Sequence, residues 1–472
     1  MAKKKTYDVI VLGTGSAGFS AVEGALAAGA KVCVIEKEKL GGECPNYACV
    51  PSKAILKAAK VYRMMRHARE FGLNPGKVSF DFASVMKYRG AVVSTITGGG
   101  EYGDRYHKIL KGLGVDVKIG TGTFVDDHTI EVDGETLVGK AIVIATGTVD
   151  FVPSIMGIDT ANFWHWKDAI QAKKQPKSLA IIGGGPVGCE IATFFATFGT
   201  RVVLLQGAST ILNHEDAEIA NIAQEEMVKL GVDVRSGVNI KEIINARGGV
   251  YGIRVDDGGE VETVAVERLL VATGKRSNVQ GINLESTGVK LDDRGVLKIN
   301  KEQRTNVKHV FGAGDVTGGM QFTHTAHHEG MVAGYNAALV AKKKRTVSRK
   351  VDERVVPRVT FVEPEVASVG MTAAQAKEKF KTALVGTYQV GALGRAVTEN
   401  ARVGLVKIVA HPKTRKVLGG HMIGDRAGEV IHEVALAMHL NITVDKLASM
   451  IHAFPTYSEG VKAAAANVKI EK

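Results

Sequence analysis

The chain has 472 residues, more than one hydrophobic core usually organises, so we expect about two to four domains. Its 45% hydrophobic and 23% charged residues are typical of a globular protein, and no apolar stretch approaches the roughly 18 residues of a membrane span. The net charge is +12, and basic clusters occur at residues 3–5 and 341–350, without a recognised nucleic-acid module. Nucleic-acid binding is therefore excluded, while an acidic protein partner or an anionic substrate stays open.

The first predicted element is a strand, since MAKKKTYDVIVLG leads from a basic start into apolar residues without a signal-peptide cleavage pattern. We therefore expect a cytoplasmic or similarly reducing location. The strand leads into Gly13-x-Gly15-x-x-Gly18, an alanine-rich helix and a second strand that ends at Glu36. This setting predicts a dinucleotide site, because glycines admit a pyrophosphate to the helix N-terminus and the acid can bind a ribose.

The next segment, GGECPNYACVPSK (41–53), places Cys44 and Cys49 five positions apart, with Gly42 before them and Lys53 after. The chain has only four cysteines, and a close pair in a large chain of this type is typically catalytic or metal-binding. The pair could therefore be a redox dithiol, two ligands of a zinc site or two cysteines buried in the core. The polar surroundings disfavour the core, and no second Cys/His pair with zinc spacing follows, so we expect no resident metal.

A second strand–turn–helix unit occupies residues 178–207 and carries Gly183, Gly185 and Gly188 at the same spacing. It ends at Gln206, with neither the acid that favours NADH nor an arginine that favours NADPH, so both nucleotides stay open. The remaining cysteines, Cys33 in a strand and Cys189 after the second glycine motif, are expected to serve packing.

Two buried strands, within 141–153 and 268–278, each end in Ala-Thr-Gly, and the strand HVFGAGDV leads to Gly314 and Asp315. An acid beside glycines at a strand end can reach a cofactor oxygen or simply cap a helix. After the basic linker, alternating strands and one amphipathic helix predict an α+β domain of roughly 120 residues, a typical domain size.

Taken together, these motifs cover nearly the whole chain, which resembles the flavin-dependent pyridine nucleotide–disulfide oxidoreductases, the group of dihydrolipoamide dehydrogenase, glutathione reductase and mercuric reductase. The resemblance implies an α/β fold with two Rossmann-like dinucleotide-binding domains, for FAD and NAD(P), plus an α+β C-terminal dimerisation domain. It also implies a homodimer whose active site is completed across the interface, and a small-molecule acceptor. The implied boundaries are 1–150 and 276–345 for FAD, 151–275 for NADH or NADPH, and 346–472 for dimerisation.

The resemblance also implies roles for individual residues. Cys49 is expected to lie against the flavin and Cys44 to exchange with the acceptor, while Lys53 pairs with Glu190 near the flavin. The cofactor-binding candidates are Gly13, Gly15, Ser16, Ala17, Gly18, Glu36, Gly42, Thr146, Gly147, Gly183, Gly185, Gly188, Gln206, Gly274, Gly314 and Asp315.

The C-terminal segment departs from the family pattern. Disulfide-reducing members carry His-Pro-Thr-x-x-Glu, whose His–Glu pair moves the proton of the exchanging thiol. Here the glutamate is present as Glu459, but Phe454 stands at the base position and cannot transfer a proton. His452, two residues earlier, is the candidate substitute. A phenylalanine here is similar to mercuric reductases, but no cysteine pair occurs near the end of this sequence, which disfavours a specific mercuric activity.

The sequence therefore predicts an FAD-dependent NAD(P)H oxidoreductase with a redox-active Cys44–Cys49 disulfide. The expected acceptor is a metal ion, a quinone or an unassigned disulfide rather than a routine dithiol substrate. Two alternatives are a dihydrolipoamide dehydrogenase that uses another base, and a non-catalytic flavoprotein that senses redox state.

Overall fold

The computed structural model describes residues 4–246, 250–344 and 348–471, so residues 3 and 345–347 of the basic clusters lie outside it. In the described residues the strands are β1 Lys5–Leu12, β2 Val32–Glu36, β3 Asp116–Ile119, β4 Thr123–Phe124, β5 Thr129–Val132, β6 Glu135–Ile144, β7 Thr148–Asp150, β8 Ser178–Ile182, β9 Arg201–Gln206, β10 Asp233–Ser236, β11 Asn239–Ala246, β12 Val250–Asp257, β13 Glu260–Val266, β14 Arg268–Val271, β15 Lys275–Ser277, β16 Val310–Gly312, β17 Arg358–Thr360, β18 Glu365–Gly370, β19 Ala383–Gln389, β20 Leu405–Ala410, β21 Val417–Gly424 and β22 Lys469–Glu471. The helices there are α1 Ser16–Ala27, α2 Glu43–Asn46, α3 Cys49–Arg66, α4 Phe82–Thr97, α5 Asp104–Gly112, α6 Trp166–Ile170, α7 Pro186–Thr197, α8 Ala217–Lys229, α9 Thr323–Ala341, α10 Ala373–Phe380, α11 Gly394–Thr398, α12 Ala427–His439, α13 Val444–Ser449 and α14 Glu459–Ala466.

The first of two compact units comprises Met1–Ala54, Met86–Phe151 and Gly274–Glu353. Its sheet has the order β3-β2-β1-β6-β5-β4, and β16 pairs with the C-terminal part of β6. Strands β1, β2, β3, β6 and β16 are parallel, whereas β4 and β5 form an antiparallel extension. Parallel strands expose both faces to packing, which explains the uninterrupted apolar runs that predicted them.

Helices α1 and α9 pack together on this unit. A Cβ atom added at Gly330 would lie 2.1 Å from the carbonyl oxygen of Ala17, and one at Gly334 would lie 1.9 Å from that of Ala21. Glycine is therefore required at these two crossing points, since any side chain would separate the helices. The apolar core beneath them includes Val9, Val34 and Val143, which are fully buried.

The second unit comprises Ile55–Val85, Val152–Thr273 and Arg354–Lys472. It contains a parallel sheet of order β10-β9-β8-β14 and an antiparallel sheet of order β11-β12-β13. The C-terminal part forms a six-stranded antiparallel sheet of order β17-β18-β21-β20-β19-β22, against which α12 packs with Ile431 and Val434.

The predicted fold class is confirmed: two α/β sheets with parallel strands, each containing a strand–glycine turn–helix unit, and an α+β C-terminal part are present. The four domain ranges drawn from the sequence stay a prediction. In the part of the chain that the structure describes, no helix is long and apolar enough to cross a membrane.

Candidate active site

Both glycine motifs adopt the same geometry, each within its own unit. Gly13 and Gly183 have φ angles of +91° and +113°, and a Cβ on either would lie within 2.4 Å of a backbone carbonyl, that of Ala145 or Ala272. These two alanines begin the Ala-Thr-Gly segments, so each predicted strand end lies directly against its glycine turn. Glycine is needed at both positions because of the positive φ and the close contact.

The helix of each motif starts tightly against the turn. A Cβ at Gly18 would lie 2.0 Å from the Gly13 carbonyl oxygen, and one at Gly188 would lie 1.9 Å from that of Gly183. Gly15 caps α1 and Gly185 caps α7, and a Cβ at either would meet no atom within 4 Å. This open space in front of free helix amides fits the pyrophosphate of a dinucleotide, so the residues present fit FAD at one unit and a nicotinamide dinucleotide at the other.

The residues that close the two motifs also correspond. Glu36 accepts hydrogen bonds from the Thr14 amide at 2.8 Å and the Thr14 hydroxyl at 2.7 Å. At the matching place, the Gln206 side-chain oxygen accepts from the Gly184 amide at 3.1 Å. Each side chain therefore supports its own glycine turn, and the ribose-binding roles of Glu36 and Gln206 stay predictions.

The other predicted FAD-site residues lie together in the first unit. The Ser16 hydroxyl donates to the carbonyl of Thr323 at 2.7 Å. Gly314 packs closely against the buried Ala17, since a Cβ atom added at Gly314 would lie 2.7 Å from the Cβ of Ala17. The hydroxyl of Thr146 donates to the Asn278 carbonyl at 2.6 Å. Gly147 and Gly274 have φ angles of +69° and +120°, so both turns require glycine.

The dithiol segment is anchored by its backbone. Gly42 has a φ of +67°, and a Cβ there would lie 2.6 Å from the Cα of Gly15, so this turn abuts the first glycine motif. The Asn46 amide donates to the carbonyls of Leu40 and Gly42 at 3.0 Å and 2.8 Å. The short helix α2 therefore fixes Cys44, while Cys49 begins the 18-residue helix α3.

The two cysteines are free thiols that interact with each other. The hydrogen bond from Cys44 lowers the pKa of Cys49 to about 6, with further help from the Thr323 hydroxyl and the charge of Lys53, although burial opposes the shift. The same hydrogen bond to Cys49, together with burial, raises the pKa of Cys44. These shifts favour Cys49 as the thiolate of the pair and Cys44 as the hydrogen-bond donor, and the place of Cys49 on the flavin side stays a prediction.

Thr323 is a site residue that the sequence did not indicate. It is the first residue of α9, and its hydroxyl lies 3.4 Å from the Cys49 sulfur. A hydroxyl can donate to a thiolate, and the N-terminus of a 19-residue helix adds a favourable dipole. Because 274 residues separate the two positions, no local pattern could have paired them.

Asp315 interacts with a group of charged residues that includes Lys275 and Glu43, neither of which the sequence analysis had singled out. Burial raises the pKa of Asp315, while the charge of Lys275 opposes that shift. The Lys275 ammonium pairs with the Glu43 carboxylate at 2.7 Å, directly before Cys44. Lys275 follows the second Ala-Thr-Gly in the sequence, and this position was its only signal.

Behind Gly314 lies a buried carboxyl group. Glu329 accepts from the Gly314 amide at 2.7 Å and from the Thr317 hydroxyl at 3.2 Å, and it is 4% exposed. Burial, reinforced by the neighbouring carboxylate of Glu353, raises the pKa of Glu329 to about 8. Glu329 thus supports the glycine loop through one carboxyl oxygen that accepts both hydrogen bonds.

Glu190 and the C-terminal candidates lie in the second unit. Glu190 is 8% exposed and accepts from the Phe361 amide at 3.0 Å. Its pairing with Lys53 stays a prediction. Cys189 is fully buried beside it and donates to the Gly184 carbonyl, as expected of a packing residue. Cys33 in the first unit is likewise fully buried.

Phe454 is 79% exposed in this chain, whereas the side chain of His452 is 4% exposed. The Nε2 atom of His452 contacts the Glu433 carboxylate at 2.8 Å, and Nδ1 contacts the Met450 carbonyl at 3.1 Å. With both nitrogens engaged, the geometry favours a structural role, and the catalytic role of His452 stays a prediction. Glu459 begins α14 and accepts from the Thr456 amide at 3.0 Å, which caps its own turn.

Comparison with known proteins gives two family matches. Residues 7–330 match the pyridine nucleotide-disulphide oxidoreductase model, and residues 356–465 match the dimerisation domain of that family. The second match supports a homodimer.

Individual relatives fall into two functional classes. A mercuric reductase from Staphylococcus aureus is 33% identical over 97% of this chain and 82% of its own length. A dihydrolipoyl dehydrogenase from Bacillus subtilis (strain 168) is also 33% identical, over 97% of both chains. Among solved structures, the Cu(II) complex of the HOCl-induced flavoprotein disulfide reductase RclA from Escherichia coli has a TM-score of 0.84 and 27% identity, and the match covers 98% of this chain and 99% of that one.

Proposed function

The chain belongs to the pyridine nucleotide-disulphide oxidoreductase family and is an NAD(P)H-dependent flavoprotein enzyme that binds FAD. From this we propose that its electron acceptor is a metal ion, with Cu(II) the best candidate. The proposal combines a dithiol suited to electron transfer with a C-terminal segment that lacks the family's proton-transfer histidine. Bound FAD would carry two electrons from the nicotinamide to the dithiol.

The main support for a metal acceptor is that Phe454 stands where related disulfide-reducing enzymes have a histidine base. Exchange between a dithiol and an organic disulfide requires a proton to be moved as each thiol attacks or leaves, which is the task of a general base. The exposed phenyl ring of Phe454 cannot act as a base, and the Glu459 carboxylate caps its own turn rather than orienting a histidine. Oxidation by a metal ion instead needs two thiolates as ligands and no proton shuttle on the acceptor.

Oxidation of the Cys44–Cys49 dithiol by Cu(II) is balanced in protons and electrons. Cys49 as a thiolate and Cys44 as a thiol lose one proton to solvent and two electrons in all, and a Cys44–Cys49 disulfide forms. Two Cu(II) ions each accept one electron and leave as Cu(I), and with FAD bound, NAD(P)H would supply the two electrons that restore the dithiol. Thiolates are soft ligands that suit copper, and they are consumed as the disulfide forms, so the reduced ion can be released.

The surrounding residues prepare this dithiol. Thr323 and Lys53 favour the Cys49 thiolate. The Lys275–Glu43 ion pair keeps the carboxylate next to Cys44 neutralised, which limits its repulsion of a forming Cys44 thiolate. The Cu(II) complex of RclA, which has the same fold, supports copper as the ion to test first.

An anaerobic single-turnover experiment tests the proposal. The enzyme is reduced with one equivalent of NADH or NADPH, mixed with Cu(II) or lipoamide, and quenched with an alkylating agent. We expect Cu(II) to protect Cys44 and Cys49 from alkylation within the dead time of manual mixing, and lipoamide to leave them alkylated. The Cys44→Ser variant separates reaction at the dithiol from direct oxidation of the flavin. Equal or faster protection by lipoamide contradicts the proposal.

A second candidate function is dihydrolipoamide dehydrogenase activity. It is favoured by relatives of that name that are 33% to 35% identical and by the presence of Glu459. This function would require His452 or another group to act as base. Steady-state reduction of NAD⁺ by dihydrolipoamide distinguishes the two: rapid turnover at neutral pH supports the dehydrogenase and removes the need for a metal acceptor.

A further inference from the structure

Two distant parts of the first unit bring metal-binding side chains together at a place unrelated to the dithiol. Asp127 and His128 lie in the turn between β4 and β5, and His309 directly precedes β16. Each offers a ligand atom, and these atoms all lie within 4.8 Å of one another. His309 follows the other two by about 180 residues, so sequence spacing could not reveal the group.

The backbone of this group is already fixed. The His128 amide donates to the Asp126 carboxylate at 2.8 Å, and the His128 carbonyl accepts from the Gly139 amide at 2.9 Å. The His309 carbonyl accepts from the Ile142 amide at 2.9 Å. Both histidines are therefore tied to β6, and little backbone order must be gained when a ligand binds.

The hydrogen bonds of the two rings leave lone pairs for a metal ion. His128 Nδ1 lies 2.7 Å from the Gly139 carbonyl, and His309 Nε2 lies 2.9 Å from the Asp127 carbonyl. A carbonyl only accepts, so these nitrogens are the donors, and the neutral form of each ring has its lone pair on the other nitrogen. Metal-binding histidines usually donate their other N–H to a carbonyl or carboxylate in this way.

We propose that Asp127, His128 and His309 bind one divalent transition-metal ion, with Zn²⁺ the best match. Two imidazoles and one carboxylate form a three-residue set that leaves a fourth position for water. Zn–N bonds of about 2.0–2.1 Å require donors roughly 3.4 Å apart, so ligand atoms that are further apart than this must move together when the ion binds. The rings, stacked at 3.8 Å, must also tilt so that their lone pairs converge.

The side chains allow this movement. The Asp127 side chain is 44% exposed and that of His309 is 16% exposed, so an ion can enter from solvent and the carboxylate can rotate. The 3.5 Å separation between His309 Nε2 and the Asp127 carboxylate is a weak contact that metal binding can replace.

The position of the group indicates a stabilising role. His309 precedes β16 and therefore lies at the N-terminal edge of the parallel strands, while the glycine motif and the dithiol follow the C-terminal ends of β1 and β2. An ion here would join the β4–β5 turn to the start of β16. Because it binds only the folded state, it would raise the melting temperature without contacting the reacting groups.

Isothermal titration of Zn²⁺ into tag-free holoenzyme carrying Cys44→Ser and Cys49→Ser tests the proposal, since the competing thiols are then absent. We expect one Zn²⁺ per chain and a rise in melting temperature. His128→Gln, whose amide can still donate to the Gly139 carbonyl, should weaken binding at least about tenfold and remove the temperature rise. His107→Gln, which changes an exposed histidine of α5, is the matched control and should behave as the parent.

Equal Zn²⁺ affinity in His128→Gln and in the parent overturns the proposal, as does the absence of binding in the parent. Should His128→Gln fail to fold, Co²⁺ added to the parent gives an independent answer. Visible d–d bands of a four-coordinate site with nitrogen and oxygen ligands support the site, and a spectrum identical to aqueous Co²⁺ contradicts it.

Discussion

The dithiol segment and the segment around Phe454 differ in the chemistry that their side chains permit. Around Cys49, a partner thiol, a hydroxyl and a lysine all lower the thiol pKa, so the group is ready to pass electrons. Around Phe454, the nearest histidine has both nitrogens bonded and the glutamate caps its own turn. Under the proposed function, electron delivery to the dithiol and proton delivery to the acceptor are separate tasks, and only the first has its side chains in place.

The largest expected effect comes from removing the thiolate itself. Cys49→Ser deletes the two-electron acceptor, so Cu(II) reduction with NAD(P)H should fall by about 10³-fold or more, as is typical for loss of a reacting group. The steady-state rate of Cu(I) formation measures this. Cys189→Ala, which alters a fully buried packing cysteine, is the control and should keep most of the activity. Substantial turnover in Cys49→Ser would show that the metal is reduced by the flavin directly.

Restoring the missing base should have the next largest effect. Phe454→His should raise the rate of lipoamide reduction by about 10²-fold or more, within the range that general acid–base catalysis contributes. Phe454→Leu, which is apolar and carries no proton, should give no gain. The comparison is made from kcat/KM for lipoamide at saturating nucleotide. An unchanged rate in Phe454→His would mean that this position does not limit exchange.

The pH dependence of thiol alkylation tests the electron-delivering segment. The pKa of Cys49 is lowered to about 6, so its thiolate persists above this pH and its reactivity is lost as the pH falls through 6. In the reduced enzyme, the rate of Cys49 modification by iodoacetamide should have a midpoint near pH 6. Cys44→Ala removes the largest cause of the shift and should move the midpoint upward, towards the usual thiol value. A midpoint near 9 in the unmodified enzyme would contradict this assignment.

The smallest effect is expected at Glu459. Without a histidine to orient, the Glu459 carboxylate supports its own turn, so Glu459→Gln should change turnover with either acceptor by less than about threefold, within the cost of one partly buried hydrogen bond. In the Phe454→His background, however, the same change should remove most of the gained lipoamide activity. A large loss in the Glu459→Gln single variant would instead indicate that Glu459 already assists a proton transfer.

Local patterns predicted the fold and most of the site. Strand, glycine turn and helix follow one another within about thirty residues, so both glycine motifs and the Cys44–Cys49 pair were visible in the sequence. The contacts of Thr323 with Cys49 and of Glu329 with Gly314 depend on how α9 packs, which no single segment encodes. The engagement of His452 by Glu433 likewise depends on helix packing in the C-terminal part.

The proposal that the enzyme passes electrons to a metal ion rather than to a disulfide is tested by comparing kcat/KM for Cu(II) and for lipoamide in the unmodified enzyme. Cu(I) is followed with a Cu(I)-specific chelator under anaerobic conditions, with NADH and NADPH each at saturation. We expect two Cu(I) per nucleotide oxidised and a preference for Cu(II) of about 10²-fold or more, since only disulfide exchange lacks its base. Lipoamide turnover equal to or faster than Cu(II) reduction would contradict it.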